Sequence, residues 1–234
     1  MLKKISKNEM HVSNLGWLES RFHFSFADYY NPKNMNFGVL RVLNDDIVHP
    51  DSGFGTHPHK DMEIISYVVN GQITHKDSMG NDRTLKRGEV QYLSAGTGIL
   101  HSEYNHHKSE DLRLLQIWIL PPKNSMEPIY GEELYKHKER KNKLLHIVSN
   151  QEGDAKVKIH QDINMYVSEL EKNGTIDFTI NKNRQIYFVQ IEGNSSINNI
   201  ILNPSDAMEI IEEQTLHVEA LDNSHFLFIE MPQT

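Results

Sequence analysis

Two short segments carry side chains whose types and spacing could hold a transition metal. The first is Gly53-Phe-Gly-Thr-His57-Pro-His59, and the second is Thr97-Gly-Ile-Leu-His101-Ser-Glu103-Tyr-Asn105. In an extended strand, residues i and i+2 project to one face, so His57 and His59 can converge on a single ion. His101 and Glu103 repeat the spacing. If the two strands lie opposite each other inside a small barrel, three imidazoles and one carboxylate meet. Three nitrogens and an oxygen suit a divalent first-row metal and leave coordination positions for a ligand or water. Calcium and magnesium want oxygen shells and fit poorly. A lone His-x-His is common on surface strands. The second pair, with glycines at 53, 55, 96 and 98 that let backbone turn tightly and approach a pocket, makes metal binding the stronger expectation. Glu63 competes with Glu103 for the carboxylate role, since 57, 59, 61 and 63 share one face of a regular strand. Parity leaves both open.

The elements that must position these groups read as short strands. Glu63–Asn70 is β-rich and ends at Gly71, Gln72–Lys76 follows as its partner, and 77–82 is a turn cluster. Val90–Leu93, Leu112–Leu120, Thr175–Ile180, Ile186–Ile191, Ile197–Leu202 and Phe226–Met231 continue the pattern. Many short strands separated by turn residues predict an all-β chain of sandwiches or barrels. The single helical expectation is the charged stretch Gly131–Lys143, after Pro121, Pro122 and Pro128. The division expected is a first barrel over 1–122 with the metal site, a connection over 123–143, and a second barrel over 144–234.

The two halves also look related. Ile64–Gly71 parallels Ile186–Gly193, Leu85–Glu89 parallels Leu202–Asp206, and Leu115–Leu120 parallels Phe226–Met231. Three weak matches in one order predict a duplicated barrel. Aligned this way, Thr179 and Asn181 stand where His57 and His59 do, and Val218 and Ala220 stand opposite His101 and Glu103. His217 is one residue off, on the other face of a strand. One metal per chain is therefore expected.

Composition narrows the rest. The 234 residues carry a net charge of −8 with 38% hydrophobic residues, which fits a globular chain and argues against direct nucleic-acid binding. No apolar run reaches membrane-spanning length, and no signal-peptide core follows Met1, so a cytoplasmic protein without a membrane role is expected. Absence of cysteine excludes disulfides, thiol catalysis and thiolate ligands. Of the 14 histidines, His106 and His107 read as exposed loop residues and His75 as a satisfied strand residue; His11, His23, His49, His137, His146, His160 and His225 lack paired spacing. Phe22, Phe24 and Phe26 alternate at period 2 and read as core.

Taken together, the motifs resemble the pirin family, bicupins that include bacterial pirin-like quercetinases. The resemblance rests on Gly53–His59, Met62-Glu-Ile-Ile-Ser-Tyr67, His75-Lys-Asp-Ser78, Ser94–Asn105 and Gln116-Ile-Trp-Ile followed by Leu120-Pro. It implies two tandem cupin barrels (double-stranded β-helix, or jelly-roll) and a metal held by His57, His59, His101 and Glu103. It implies a dioxygenase that cleaves quercetin-type flavonols with dioxygen and releases carbon monoxide. Glu103 is then the expected base and Glu63 the alternative. Iron is the first expected occupant, with nickel, manganese, copper and zinc compatible. The family also contains regulatory proteins, so a metal-binding or redox-sensing role through protein partners is the alternative, and an oxygenase for another phenolic is a third.

Overall fold

Apolar residues at alternating positions become strands throughout residues 1–233, the part of the chain that the computed structural model describes. The strands group into two units. One unit takes His11–Leu134 with Val157–Gln161; the other takes Met1–Met10, Tyr135–Lys156 and the chain from Asp162 onward. Strand β1 (Leu2–Ile5) thus lies outside the unit that follows it, pairing Leu2 with Ile210. The first unit contains β2 (His11–Asn14), β3 (Leu18–Phe22), β4 (Leu40–Val48), β5 (Ser52–His59), β6 (Glu63–Asn70) and β7 (Gln72–Asp77). It continues with β8 (Asp82–Lys86), β9 (Glu89–Ser94), β10 (Ile99–Asn105), β11 (Leu112–Ile119) and β12 (Ile129–Leu134). Among the described residues, no helix is long and apolar enough to cross a membrane.

Two antiparallel sheets make the first barrel, ordered β12-β9-β6-β11-β4-β3-β2 and β5-β10-β7-β8. Register stacks its inward side chains in rows. Leu18, Val48 and Leu112 share one row, and they cluster with Ile73 and Leu85 of the smaller sheet. The next rows run Ser20–Asp46–Leu114 and Phe22–Asn44–Gln116–Ser66–Gln91. Beyond them Trp118, Ile64 and Leu93 form a second apolar cluster with Ile99. A polar belt therefore lies between two hydrophobic layers. It sets the height of the site.

The helical expectation over 131–143 holds only for one turn, His137–Arg140. Residues 129–134 instead extend as β12 along β9, where the backbone of an open sheet edge finds hydrogen bonds that a short charged helix could not supply. Ile197–Leu202, expected as one strand, is a hairpin of Ser195–Ile197 and Ile200–Leu202. Asn198 and Asn199 form its turn with φ of 46° and 68°, a conformation that asparagine tolerates.

The internal repeat is visible in backbone detail. Gly71 and Gly193 both have positive φ, and a Cβ on either would meet a backbone carbonyl, Asp111 at 2.6 Å and Asn223 at 2.0 Å. Gly88 N–H donates to Val68 O and Ser205 N–H donates to Gln190 O, at 2.8 and 2.7 Å. The strand Arg184–Glu192 pairs with Ser224–Pro232 as β6 pairs with β11. The second barrel differs in its filling: Val218 and Ala220 are buried in a core with Phe188, Phe226 and Phe228.

Candidate metal centre

Antiparallel pairing of β5 with β10 sets His57 directly opposite His101 and His59 opposite Ile99. The two strands are neighbours in one sheet, not facing walls. A register shift between His101 and Glu103 re-aims the carboxylate relative to a regular ladder. Close approach of the strands depends on Gly53, where a Cβ would stand 2.3 Å from Glu103 O and 2.6 Å from Tyr104 Cα. Gly55 has open space and no such constraint. Gly53→Ala is expected to cost about 1–3 kcal/mol by forcing β5 off β10, and to reduce metal retention with it. Thermal melts and metal analysis of the variant check this; unchanged retention would show that the ligand strands can part without consequence.

The imidazoles of His57, His59 and His101 have ring centroids 4.5–4.8 Å apart, and a ligand atom from each lies within 4.8 Å of the others. His57 Nδ1 donates to Gly55 O at 2.7 Å, which fixes the tautomer and leaves its Nε2 lone pair facing His101 Nε2 at 3.0 Å. His101 Nδ1 is buried without a hydrogen-bond partner among the described residues. The donor set and its spacing fit a transition metal.

Glu103 falls into an adjoining group with His101 and His75. It is buried, with Oε2 accepting from Gln116 Nε2 at 2.9 Å and Oε1 from Ser66 Oγ at 3.3 Å. The single Ser66 hydroxyl proton is shared with Gln116 Oε1 at the shorter distance of 2.8 Å, so Gln116, itself oriented by Ser66, is the main clamp on the carboxylate. His75 is not free to ligate: its ring nitrogens bond Gln91 at 2.7 Å and Asp77 at 3.0 Å. Glu63 is elsewhere. It is 0% exposed and accepts from Tyr92 O–H (2.6 Å), His160 N–H (2.8 Å) and Gln161 N–H (3.0 Å), with His160 Nδ1 also 3.0 Å away. Four donors hold it as a clasp on the returning segment Val157–Gln161. It does not line the cavity described next.

A cavity of about 540 Å³ opens onto His57, His59 and Glu103. Its walls include Phe22, Phe26, Phe54 and Trp118, and Trp118 stands edge-on to both His59 and Phe26. The period-2 expectation missed this wall. The chain leaves β3 after Phe22, so Phe24 enters the core while Phe22 and Phe26 meet at 5.3 Å. Among the described residues, the His57, His59 and His101 cluster and the adjoining His75, His101 and Glu103 group both lie in the first barrel, and His217 pairs with exposed Asp177.

Burial, then repulsion between neighbouring imidazoles, lowers His59 to about 4 and His101 to about 3. Burial also lowers His23 to about 4. Unfolding returns all three to ordinary values near 6.5, so below that pH the unfolded chain binds more protons. Metal-free protein is therefore expected to lose stability as pH falls from about 6.5 towards 4. Asp46, raised to about 7 by burial, opposes this by releasing a proton on unfolding. Melting temperatures across the range check the sign; a level profile would show that the rings take up protons in place.

Residues 5–119 match the pirin family, and residues 146–231 match the quercetinase C-terminal cupin domain. The chain is 42% identical over 225 residues, 96% of each protein, to quercetin 2,3-dioxygenase of Escherichia coli strain K12. The chain belongs to the pirin family. A pirin-like protein of Caulobacter vibrioides is 39% identical over 216 residues, 92% of this chain and 93% of that protein. The crystal structure of YhhW from E. coli superposes with a TM-score of 0.95 at 40% identity, covering 100% of this chain and 99% of that one. The same bacterial pirin in complex with nickel(II) gives a TM-score of 0.94 at 39% identity, with both chains fully covered. The two barrels are thus the pirin bicupin.

Proposed function

We propose that the protein is a metal-dependent dioxygenase that opens the central ring of quercetin-type flavonols with dioxygen and releases carbon monoxide. One observation carries this: two of three converging imidazoles, His57 and His59, and the clamped Glu103 carboxylate open onto a partly aromatic cavity large enough for a three-ring ligand. Relatives named quercetin 2,3-dioxygenase support it. His57, His59 and His101 would hold the ion, with Glu103 as fourth ligand or adjacent base. The nickel complex of the related pirin supports such a site, and the donor set suits iron, nickel, manganese, copper or zinc. When bound, the metal polarises the flavonol 3-oxygen as a Lewis acid.

The chain supplies orientation and proton transfer. Phe22, Phe26 and Trp118 line the cavity with apolar rings that would pack against those of the ligand. Glu103 keeps lone pairs on both oxygens beyond those used by Gln116 and Ser66, so it can take the 3-hydroxyl proton. Dioxygen then adds across the central ring of the flavonolate, and one carbon leaves as carbon monoxide.

The test is anaerobic loading with each metal in turn, followed by quercetin and oxygen. The expected result is one dioxygen consumed and one carbon monoxide released per flavonol. A flavone lacking the 3-hydroxyl should turn over at least about 100-fold more slowly. Equal turnover of both would remove the anchoring role of that oxygen. No turnover with any metal would favour the sensing role instead.

A further inference from the structure

Strand β4 presents two adjacent carboxylates to opposite faces, and the fold treats them differently. Asp45 forms a bidentate pair with the Arg113 guanidinium at 2.8 and 2.7 Å. Asp46 points inward, is 3% exposed and lines the cavity, where its Oδ1 accepts from the buried Ser20 hydroxyl. Among the described residues, no lysine or arginine lines that cavity. Asn44, next along the same face, is also buried and lines it, with an Oδ1 that has no partner among the described residues. Leu114 fills the position paired with Asp46 in the same row, so an apolar residue suits this level of the barrel. A buried carboxyl without a cation costs stability, and nothing in the packing requires one here.

We infer that Asp46, with Ser20 and Asn44, is a second recognition point that takes hydroxyl groups of the phenolic ligand away from its metal-bound oxygen, an assignment that rests on the function proposed above. Two acceptor oxygens in a cavity that also carries Phe22, Phe26 and Trp118 match an aromatic ligand bearing O–H donors. An anionic group at this recognition point would meet Asp46 and Asp28, with no lysine or arginine among the described lining residues to receive it. Burial holds Asp46 at about 7, so near neutrality a protonated fraction can also donate to a ligand oxygen. Asp46 is a specificity residue. It touches the part of the ligand that does not react.

The test is anaerobic binding to the nickel-loaded protein, read by flavonol absorbance. Quercetin, with two hydroxyls on its pendant ring, is compared with 3,5,7-trihydroxyflavone, which has none there. Quercetin is expected to bind about tenfold more tightly. Asp46→Leu should erase the preference while keeping nickel content and a melting temperature at or above that of the parent. Asp46→Asn, which can still hydrogen-bond, should keep most of the preference, and Asn44→Ala should reduce it. A preference intact in both Asp46→Leu and Asn44→Ala overturns the assignment. So does an Asp46→Leu protein that no longer folds, which would make the carboxyl structural. Equal binding of the two flavonols by the parent overturns this recognition point and leaves the dioxygenase standing. Failure of both to bind overturns the two together.

Discussion

Changing His57 and His59 together to alanine is expected to leave a folded protein that retains no metal and turns over no flavonol. Two of the three converging imidazoles disappear, and His101 with Glu103 is a poor site alone. Loss of one outer partner of a ligand already costs about 10–100-fold in affinity, so loss of two ligands should cost at least about 10³-fold. Folding should survive, because both rings are only half-buried and the apolar layers above and below the belt are untouched. Elemental analysis should find close to one ion per parent chain and none in the variant. Two ions per chain would contradict the packed interior of the second barrel, where Phe188, Phe226 and Phe228 occupy the space.

Glu103→Gln and Glu63→Gln should separate cleanly. Glutamine at 103 keeps the size and an oxygen but loses the basic site, so rate should fall about 10²–10⁴-fold at saturating metal. Three imidazoles remain to hold the ion. Glu63 is met by four donors and by none of the metal cluster, so its glutamine variant should lose stability and keep its turnover per folded, metal-loaded chain. Leaving buried donors mismatched at such a site costs about 1–3 kcal/mol. Rate at saturating metal and a denaturant midpoint distinguish the two. If Glu63→Gln loses metal and rate while Glu103→Gln keeps both, the roles assigned to the two carboxylates are reversed.

Much of this was legible before any coordinates. The i, i+2 spacing of His57 with His59 needed only the two-residue period of a strand, and the same period put His217 on the wrong face for a second site. The three weak repeats were legible because glycine and turn residues mark positions where backbone, not side chain, sets the rule. Gly71 and Gly193 each lie against a carbonyl that a Cβ would strike.

What sequence left open depended on partners distant in the chain. Parity could not choose between Glu63 and Glu103, because each lies on an inward-facing strand position. The fold gives the two carboxylates different donors: Gln116 and Ser66 at Glu103, Tyr92 and the 160–161 backbone at Glu63. The strand that opens the chain pairs with Ala207–Ile211, a match between edges that no local pattern announces. The aromatic wall was hidden for a related reason, since Phe22 and Phe26 share a cavity only after the chain leaves its strand. Alternation along one strand therefore decided which residue types could ligate a metal. Lateral register between strands decided which of them meet, because hydrogen-bonded neighbours come from anywhere in the sequence.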